Sequence, residues 1–394
     1  MTSTQSLVRP FSARVVRQDW ADQVVSPMHD SLSSKARAQA LVDHPMNFLN
    51  VTRSSHDLPG LSTAELGRAN AEALQRILDA GAYHDAGSPH LYVYRVEGAQ
   101  QEHVGIVAEV DLHGFADGRV LGHEAVQPAR VDALVSHFDA VPARSELVAL
   151  THRADAVVAE VMANTRRREP MLSVTDLMGC VQTVWRVDDT DAQRVAQALS
   201  TVPLYIADGH HRVAASVRRW QARGRPDGQG VLCVLYPEDQ LHLLAFHRRV
   251  TGSVDTDELL RALASRLEVA PVEAPHREVG EFGLYVQRGW YALRPRATEH
   301  RPGVAGLDVT TLDDAVLRPL LGEDTSRVEF VSELADLAEV TGRCDRDGGA
   351  LFLLAAPSMD QLVEVAERGE VMAPKSTYFE PKPRAGIFLR FPAG

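Results

Sequence analysis

Cysteine is scarce in this chain. Its 394 residues contain three, Cys180, Cys233 and Cys344, an odd number, widely spaced and without a CxxC pair. That excludes a disulfide framework and a cysteine zinc site, and it fits a reducing, cytoplasmic compartment. Long apolar runs are missing too. No stretch approaches the roughly 18 residues of a membrane span, and none follows the first arginines to form a signal peptide, so no membrane partner is expected. Positive charge is in deficit: 41 Lys and Arg stand against 53 Asp and Glu, a net charge of −12. Broad binding to nucleic acid or anionic lipid is therefore not expected, while a local basic pocket stays compatible with the composition. The common chemical motifs are also absent. There is no GxxxxGK P-loop, no GxGxxG, no GxSxG and no HExxH; in HEAVQ at 123–127, glutamine stands where a second histidine would be needed.

What is present is an ordinary globular composition, 45% hydrophobic and 24% charged, long enough for two or three domains. Residues 1–60 read as irregular, punctuated by Pro10, Pro27, Pro45 and Pro59. Helical spacing covers 63–81, opened by Ser62 and Glu65 as a capping box. LYVYRV and GIVAEVDL read as a hairpin, and Pro128 opens a helix. GVLCVLYP and LHLLAFHRRV read as a second hairpin around EDQ. After residue 252 the pattern resets, with a helix from 255, a hairpin in EFGLYVQRGWYALRP, and a basic, aromatic tail. The division expected is 1–252 and 253–394. The class is mixed α/β with hairpins, without the regular strand–helix alternation of a doubly wound sheet.

One junction carries most of the chemistry. In PLYIADGHHR, a buried-strand run ends at Asp208 and a helical pattern starts at His210. With Asp208 as N-cap, its carboxylate would accept from the His210 or His211 N–H. Gly209 would let a ligand approach the main chain. The first-turn N–H groups would favour an anion, and His210, His211 and Arg212 add donors for phosphate oxygens. A capped helix with exposed histidines is the plain alternative. Adjacent histidines point about 100° apart on a helix and do not share one ion. Three further groups qualify. His123 and Glu124 pair a histidine with a possible general base, followed by Arg130. His247, Arg248 and Arg249 close a strand, the plain reading being a charged edge. Lys375, Ser376, Thr377, Tyr378 and Lys382 lie in PKSTYFEPK, a loop suited to a carboxylate or phosphate.

These segments, from HPMNFLNV (44–51) through GHEAV, ADGHHR and AFHRRV to PKSTYFEPK, occur in one order. In that order the chain resembles the bacterial and archaeal domain-of-unknown-function family DUF1015. SPMHD at 26–30 departs from the family's PPYD-like stretch and leaves Asp30 as the residue to consider there. The core also resembles ParB/sulfiredoxin-type domains and free serine kinases. That resemblance implies a nucleotide-binding core in 1–252, with a C-terminal part whose tail returns to the site. It further implies phosphoryl transfer from a nucleoside phosphate, ATP or ADP with Mg²⁺, to the hydroxyl of a free amino acid such as serine. Glu124 would be the base, although some eighty residues separate it from Asp208. Asp208 and His210 would join it in catalysis, with Asp208 holding the metal. Gly209, His210, His211, Arg212, His247 and Arg248 would hold phosphates, and Lys375, Ser376 and Thr377 the substrate. Two readings from other classes stay open: a nucleotide-binding switch or partner-binding protein without turnover, and a hydrolase of a phosphorylated metabolite. Oligomeric state is not legible.

Overall fold

The computed structural model describes residues 6–28, 31–99, 101–275, 277–296, 301–322 and 325–391. Asp30 lies outside them. The chain forms two compact units. One comprises Met1–Gly122, Val126–Leu241 and Pro381–Gly394; the other comprises His123–Ala125 and His242–Glu380. The class is mixed α/β, with each unit built on its own sheet.

The first unit carries a nine-stranded sheet. From one edge it runs Val120–Leu121, Leu204–Asp208, Val148–His152, Gly230–Pro237, Glu102–Asp111, Tyr92–Glu97, Val181–Arg186 and Leu172–Thr175. Val8–Arg9 adds antiparallel to Glu102–Asp111. The expected hairpin is Tyr92–Glu97 with Glu102–Asp111, registered Tyr92 to Val107. Two pairs are parallel, Leu204–Asp208 with Val120–Leu121 and Gly230–Pro237 with Val148–His152. Both faces of the central strands are covered, so Glu102–Asp111 is buried at nearly every position and reads as a continuous apolar run rather than an alternating one. Its Gly105 allows close packing: a Cβ there would stand 2.8 Å from the Leu235 carbonyl and from the Tyr236 ring.

The helices follow their local signals. Thr63–Asp79 has the complete Ser62–Glu65 capping box, and Pro128–Ala140 starts on its proline. The irregular reading of residues 1–60 is corrected by a helix, Ser34–Asp43, capped by Ser33. Half of its residues are polar and only Arg37 is buried, so it carries no apolar stripe to read.

The second unit holds a six-stranded antiparallel sheet, ordered Leu267–Val272, Gly289–Pro295, Phe282–Val286, Ala350–Leu353, Phe246–Val250 and Val328–Ser332. The hairpin Phe282–Val286 with Gly289–Pro295 turns at Gln287 and Arg288, both at positive φ, as a two-residue hairpin loop requires. The second hairpin expected around EDQ does not form. Glu238–Gln240 is a 3₁₀ turn, and the strands on either side belong to different sheets. Phe246–Val250 is also not an edge. It lies between Val328–Ser332 and Ala350–Leu353, so the compact unit begins at His242 rather than after residue 252.

Candidate functional site

Leu204–Asp208 is buried along its first four residues and ends on a half-buried aspartate. Its pairing with Val148–His152 shifts register between Ile206 and Asp208, an irregularity that re-aims the strand end. Gly209 follows at φ 108°, ψ 22°, in the left-handed region, and is the N-cap of the helix His210–Ala222. The expectation of Asp208 as N-cap is thereby corrected. Asp208 still belongs to the strand, and its side chain points to cations instead of the helix N–H groups. Its Oδ2 accepts from Arg212 Nη2 at 2.5 Å and its Oδ1 from Lys382 Nζ at 3.2 Å. The helix start therefore has no side-chain cap. By contrast, Ser62, Asp155, Asp188 and Ser358 all cap the helices they open.

The electrostatics follow from this packing. Desolvation works to raise the Asp208 carboxyl, but Lys382 and Arg212 outweigh it and bring it down to about 2. It is an anion at any ordinary pH. Burial lowers His210 to about 4, helped by repulsion from His211 and Arg212, so its ring is a neutral hydrogen-bonding group rather than a cation. The ring lies where a Cβ on Gly122 would stand 3.0 Å from Cδ2. His211 Nε2 accepts from the Gln127 N–H at 3.0 Å, which leaves the ring proton on Nδ1. Arg212 is nearly buried, and besides Asp208 it donates to the Leu147 carbonyl at 2.6 Å.

The remaining residues belong to the second unit. Glu124 forms an isolated parallel bridge with Met372, whose N–H donates to the His123 carbonyl at 2.8 Å. His123 is buried, with Nε2 3.3 Å from Thr377 Oγ1. Ser376 donates to the Ala373 carbonyl. Lys375 takes positive φ and holds its ammonium 5.1 Å from the Phe246 ring centroid. Arg248 is fully buried, donates to the carbonyls of Phe246 and Lys375, and lies over Phe330. Burial brings His247 down to about 4, and its Nδ1 accepts from the Leu354 N–H. Arg249 pairs with Glu329 and Asp347.

Asp208, Gly209, His210, His211 and Arg212 thus form one group, and Lys382 joins it from the tail. Lys375, Ser376 and Thr377 gather instead with His123 and Arg248. PKSTYFEPK places Lys382 in one loop with Lys375, and seven residues of sequence do not reveal that the chain passes from one unit to the other at Pro381. Among the described residues, no group of three or more His, Cys, Asp or Glu is placed to hold a metal ion, and no helix is long and apolar enough to cross a membrane.

A mixed α/β protein whose sheet delivers an ionised, cation-bound carboxylate to an uncapped helix start is the class that fold and geometry define. The chain belongs to the family described as Protein of unknown function (DUF1015), whose model matches residues 8–310. No curated protein matches it. Similar solved structures include a free serine kinase in complex with AMP, at 15% identity over 71% of this chain and 91% of that one, with a TM-score of 0.37. A conserved hypothetical protein from Pyrococcus furiosus matches at 15% over 72% and 93%, TM-score 0.34. SbnI with C-terminal truncation from Staphylococcus aureus matches at 12% over 71% and 85%, TM-score 0.40. Likeness at this level assigns no activity.

Proposed function

We propose that the protein is a small-molecule kinase that uses the Asp208–Arg212 turn to handle the phosphates of a nucleotide. The observation that carries this reading is the uncapped helix start at Gly209, set beside Lys382 and Arg212. A helix start without a side-chain cap, the positive end of a 13-residue helix and two cations make a place where anionic oxygens are stabilised. Gly209 keeps the main chain open to them.

In the reaction, the acceptor hydroxyl oxygen bonds to the terminal phosphorus of ATP or ADP as the bond from that phosphorus to the bridging oxygen breaks. The nucleotide leaves with one phosphate fewer. The hydroxyl proton passes to a carboxylate, for which Glu124 is the choice on its His-Glu context in the sequence. Neutral His210 and His211 donate hydrogen bonds, and Lys382 and Arg212 supply the charge. Such transfer needs positioning and neutralisation more than covalent help from the protein. Lys375, Ser376 and Thr377 are the groups proposed for the carboxylate of a hydroxy amino acid. Asp208 fits a directly bound Mg²⁺ poorly, since both its oxygens already hold cations, and no step is routed through a metal.

Incubating the full chain with ATP, ADP or CTP and a pool of hydroxy amino acids, then resolving phosphorylated products by mass spectrometry, tests this. A new phospho-amino acid is expected, lowered about 10²–10⁴-fold in rate by Glu124→Gln. Nucleotide binding without any product would replace the kinase with a binding protein. Release of free phosphate from a phosphorylated metabolite would replace it with a hydrolase.

A further inference from the structure

A second feature lies wholly within the first unit, along the helix that starts at Gly209. A cavity of about 450 Å³ is walled by that helix together with residues from 48–52, 137–148 and 226–232 and by Arg390. Its size falls within the range of small-molecule pockets. Its apolar wall includes Phe138, Val141 and Trp220. Its charged wall is unusual: five guanidiniums, Arg144, Arg212, Arg219, Arg223 and Arg390, meet a single lining carboxylate, Glu146.

The arginines are held there by backbone structure. Arg144 and Arg390 form an isolated antiparallel bridge, with N–H to carbonyl distances of 2.8 and 2.9 Å in the two directions. Residues directly opposed in such a bridge send their side chains to the same side. Arg144 is then fixed by the carbonyls of Phe138, Val141 and Ala143, with its guanidinium carbon 4.2 Å from the Phe138 ring centroid. None of these acceptors carries a formal charge. Burial, and then repulsion from Arg219 and Arg390, lowers Arg144 to about 9, so three like charges press on one another. Arg390 shares Glu109 with Arg9. Arg219 pairs outward with the exposed Asp139. Arg223 has no ion pair or side-chain hydrogen bond among the described residues and stands exposed.

We propose that this cavity binds a small organic anion, its phosphate or carboxylate group held by Arg219, Arg223 and Arg390 in the positive field of Arg144, and its apolar body resting on Phe138 and Trp220. Guanidiniums in a partly desolvated wall are suited to forked bonds to such groups. The site is separate from the phosphate turn. Arg212 touches both, but its two terminal nitrogens are already committed to Leu147 and Asp208.

The test is calorimetric titration of the full chain with phenyl phosphate, succinate and inorganic phosphate. Binding of phenyl phosphate or succinate at one site per chain is expected, and which of the two is tighter tells phosphate from carboxylate. Inorganic phosphate should bind at least about tenfold more weakly than phenyl phosphate, because it buries no apolar surface. Arg223→Gln, an exposed position, should weaken binding by about tenfold. Ser216→Phe, which puts a ring into the cavity from the helix, should abolish it. Lys382→Met should leave phenyl phosphate binding unchanged while weakening ATP, so failure here and failure of the kinase reading are told apart. No binding of any probe overturns the proposal, as does binding that Arg223→Gln leaves undiminished or that is lost in Lys382→Met. If Ser216→Phe does not fold, Arg223→Gln decides.

Discussion

Asp208 is held from two sides, by Lys382 and by Arg212, and the consequences are local and measurable. Lys382→Met leaves the carboxylate with one cation in a partly desolvated place. The expected loss is about 1.5–3 kcal/mol, the scale of a hydrogen bond to a charged group, read as a shift in the urea midpoint at unchanged slope. The histidines set the acid limit. Burial puts His210 and His247 at about 4, whereas a histidine in the unfolded chain titrates near 6.5. Between those values the unfolded chain binds more protons than the folded one, so stability falls as pH drops from about 6.5 to about 4. Asp208 has the same sign at lower pH: its stabilisation is complete above about 4 and lost toward 2. Thermal melts from pH 7.5 to 4 should show a steady decline, and His210→Gln should flatten it. A melting point indifferent to pH across that window would contradict a buried neutral His210.

At the scale of elements, the strand–glycine–helix turn is distinguished from the chain's other turns by what surrounds it. Gly118 and Gly179 also have positive φ, but a Cβ on either would meet nothing within 4 Å. At Gly209 the Cβ would stand 3.0 Å from Arg212 Nη2 and 3.1 Å from Val148 Cγ2. Gly118→Ala is expected to cost about 1 kcal/mol, from the backbone alone. Gly209→Ala should cost about 1–3 kcal/mol through strain and also push Arg212 off Asp208. Denaturant curves of the two variants compare them directly, and equal losses would mean that the turn at 209 is only a turn. Helix starts elsewhere obey the ordinary rule, and Ser62→Ala should cost about 1 kcal/mol through the lost capping box.

At the scale of the whole chain, the last segment completes the first unit. Phe388–Leu389 pairs with Arg14–Val16. Arg384 reaches the fully buried Asp176 at 2.5 Å, and Asp176 in turn accepts from Gln182, which accepts from Tyr94. Gly386 donates to Ser145, Arg390 pairs with Glu109 and Lys382 with Asp208. Removing residues 381–394 takes a cation from each of three carboxylates; Glu109 and Asp208 keep Arg9 and Arg212, while Asp176 loses Arg384, and breaking one such buried pair costs about 3–5 kcal/mol. That is a large part of the roughly 5–15 kcal/mol available to a folded domain. Truncation after Glu380 should therefore abolish the cooperative thermal transition of the first unit, followed by circular dichroism and limited proteolysis. Arg384→Met tests the principal contact alone, with an expected loss of about 3–5 kcal/mol.

Local signals in the chain were enough for the elements whose information is local. Ser62 with Glu65, Pro128 at a first helical position and the valine-, isoleucine- and tyrosine-rich runs around 92–111 determined their helices and hairpin, because caps, fixed φ and strand preference act within a few residues. ADGHHR likewise marked the place where Asp208, Gly209, His210, His211 and Arg212 come together, since one strand end and one helix start bring them there whatever the rest does. The strand Val148–His152 carries no mark in the sequence, although it neighbours Leu204–Asp208, because five residues, three of them apolar, without flanking turn signals carry no period to read. Only the tertiary structure decided which way Asp208 turns. The sequence pattern made it a helix cap; Lys382, 174 residues away, and Arg212 draw it aside, because charge-assisted bonds to two cations outweigh one bond to a backbone N–H. The arginine cavity is of the same kind. Its residues are scattered between 144 and 390, and no spacing in the chain connects them; they converge because a two-residue bridge sets Arg144 beside Arg390 and a helix sets Arg219 and Arg223 on the same wall.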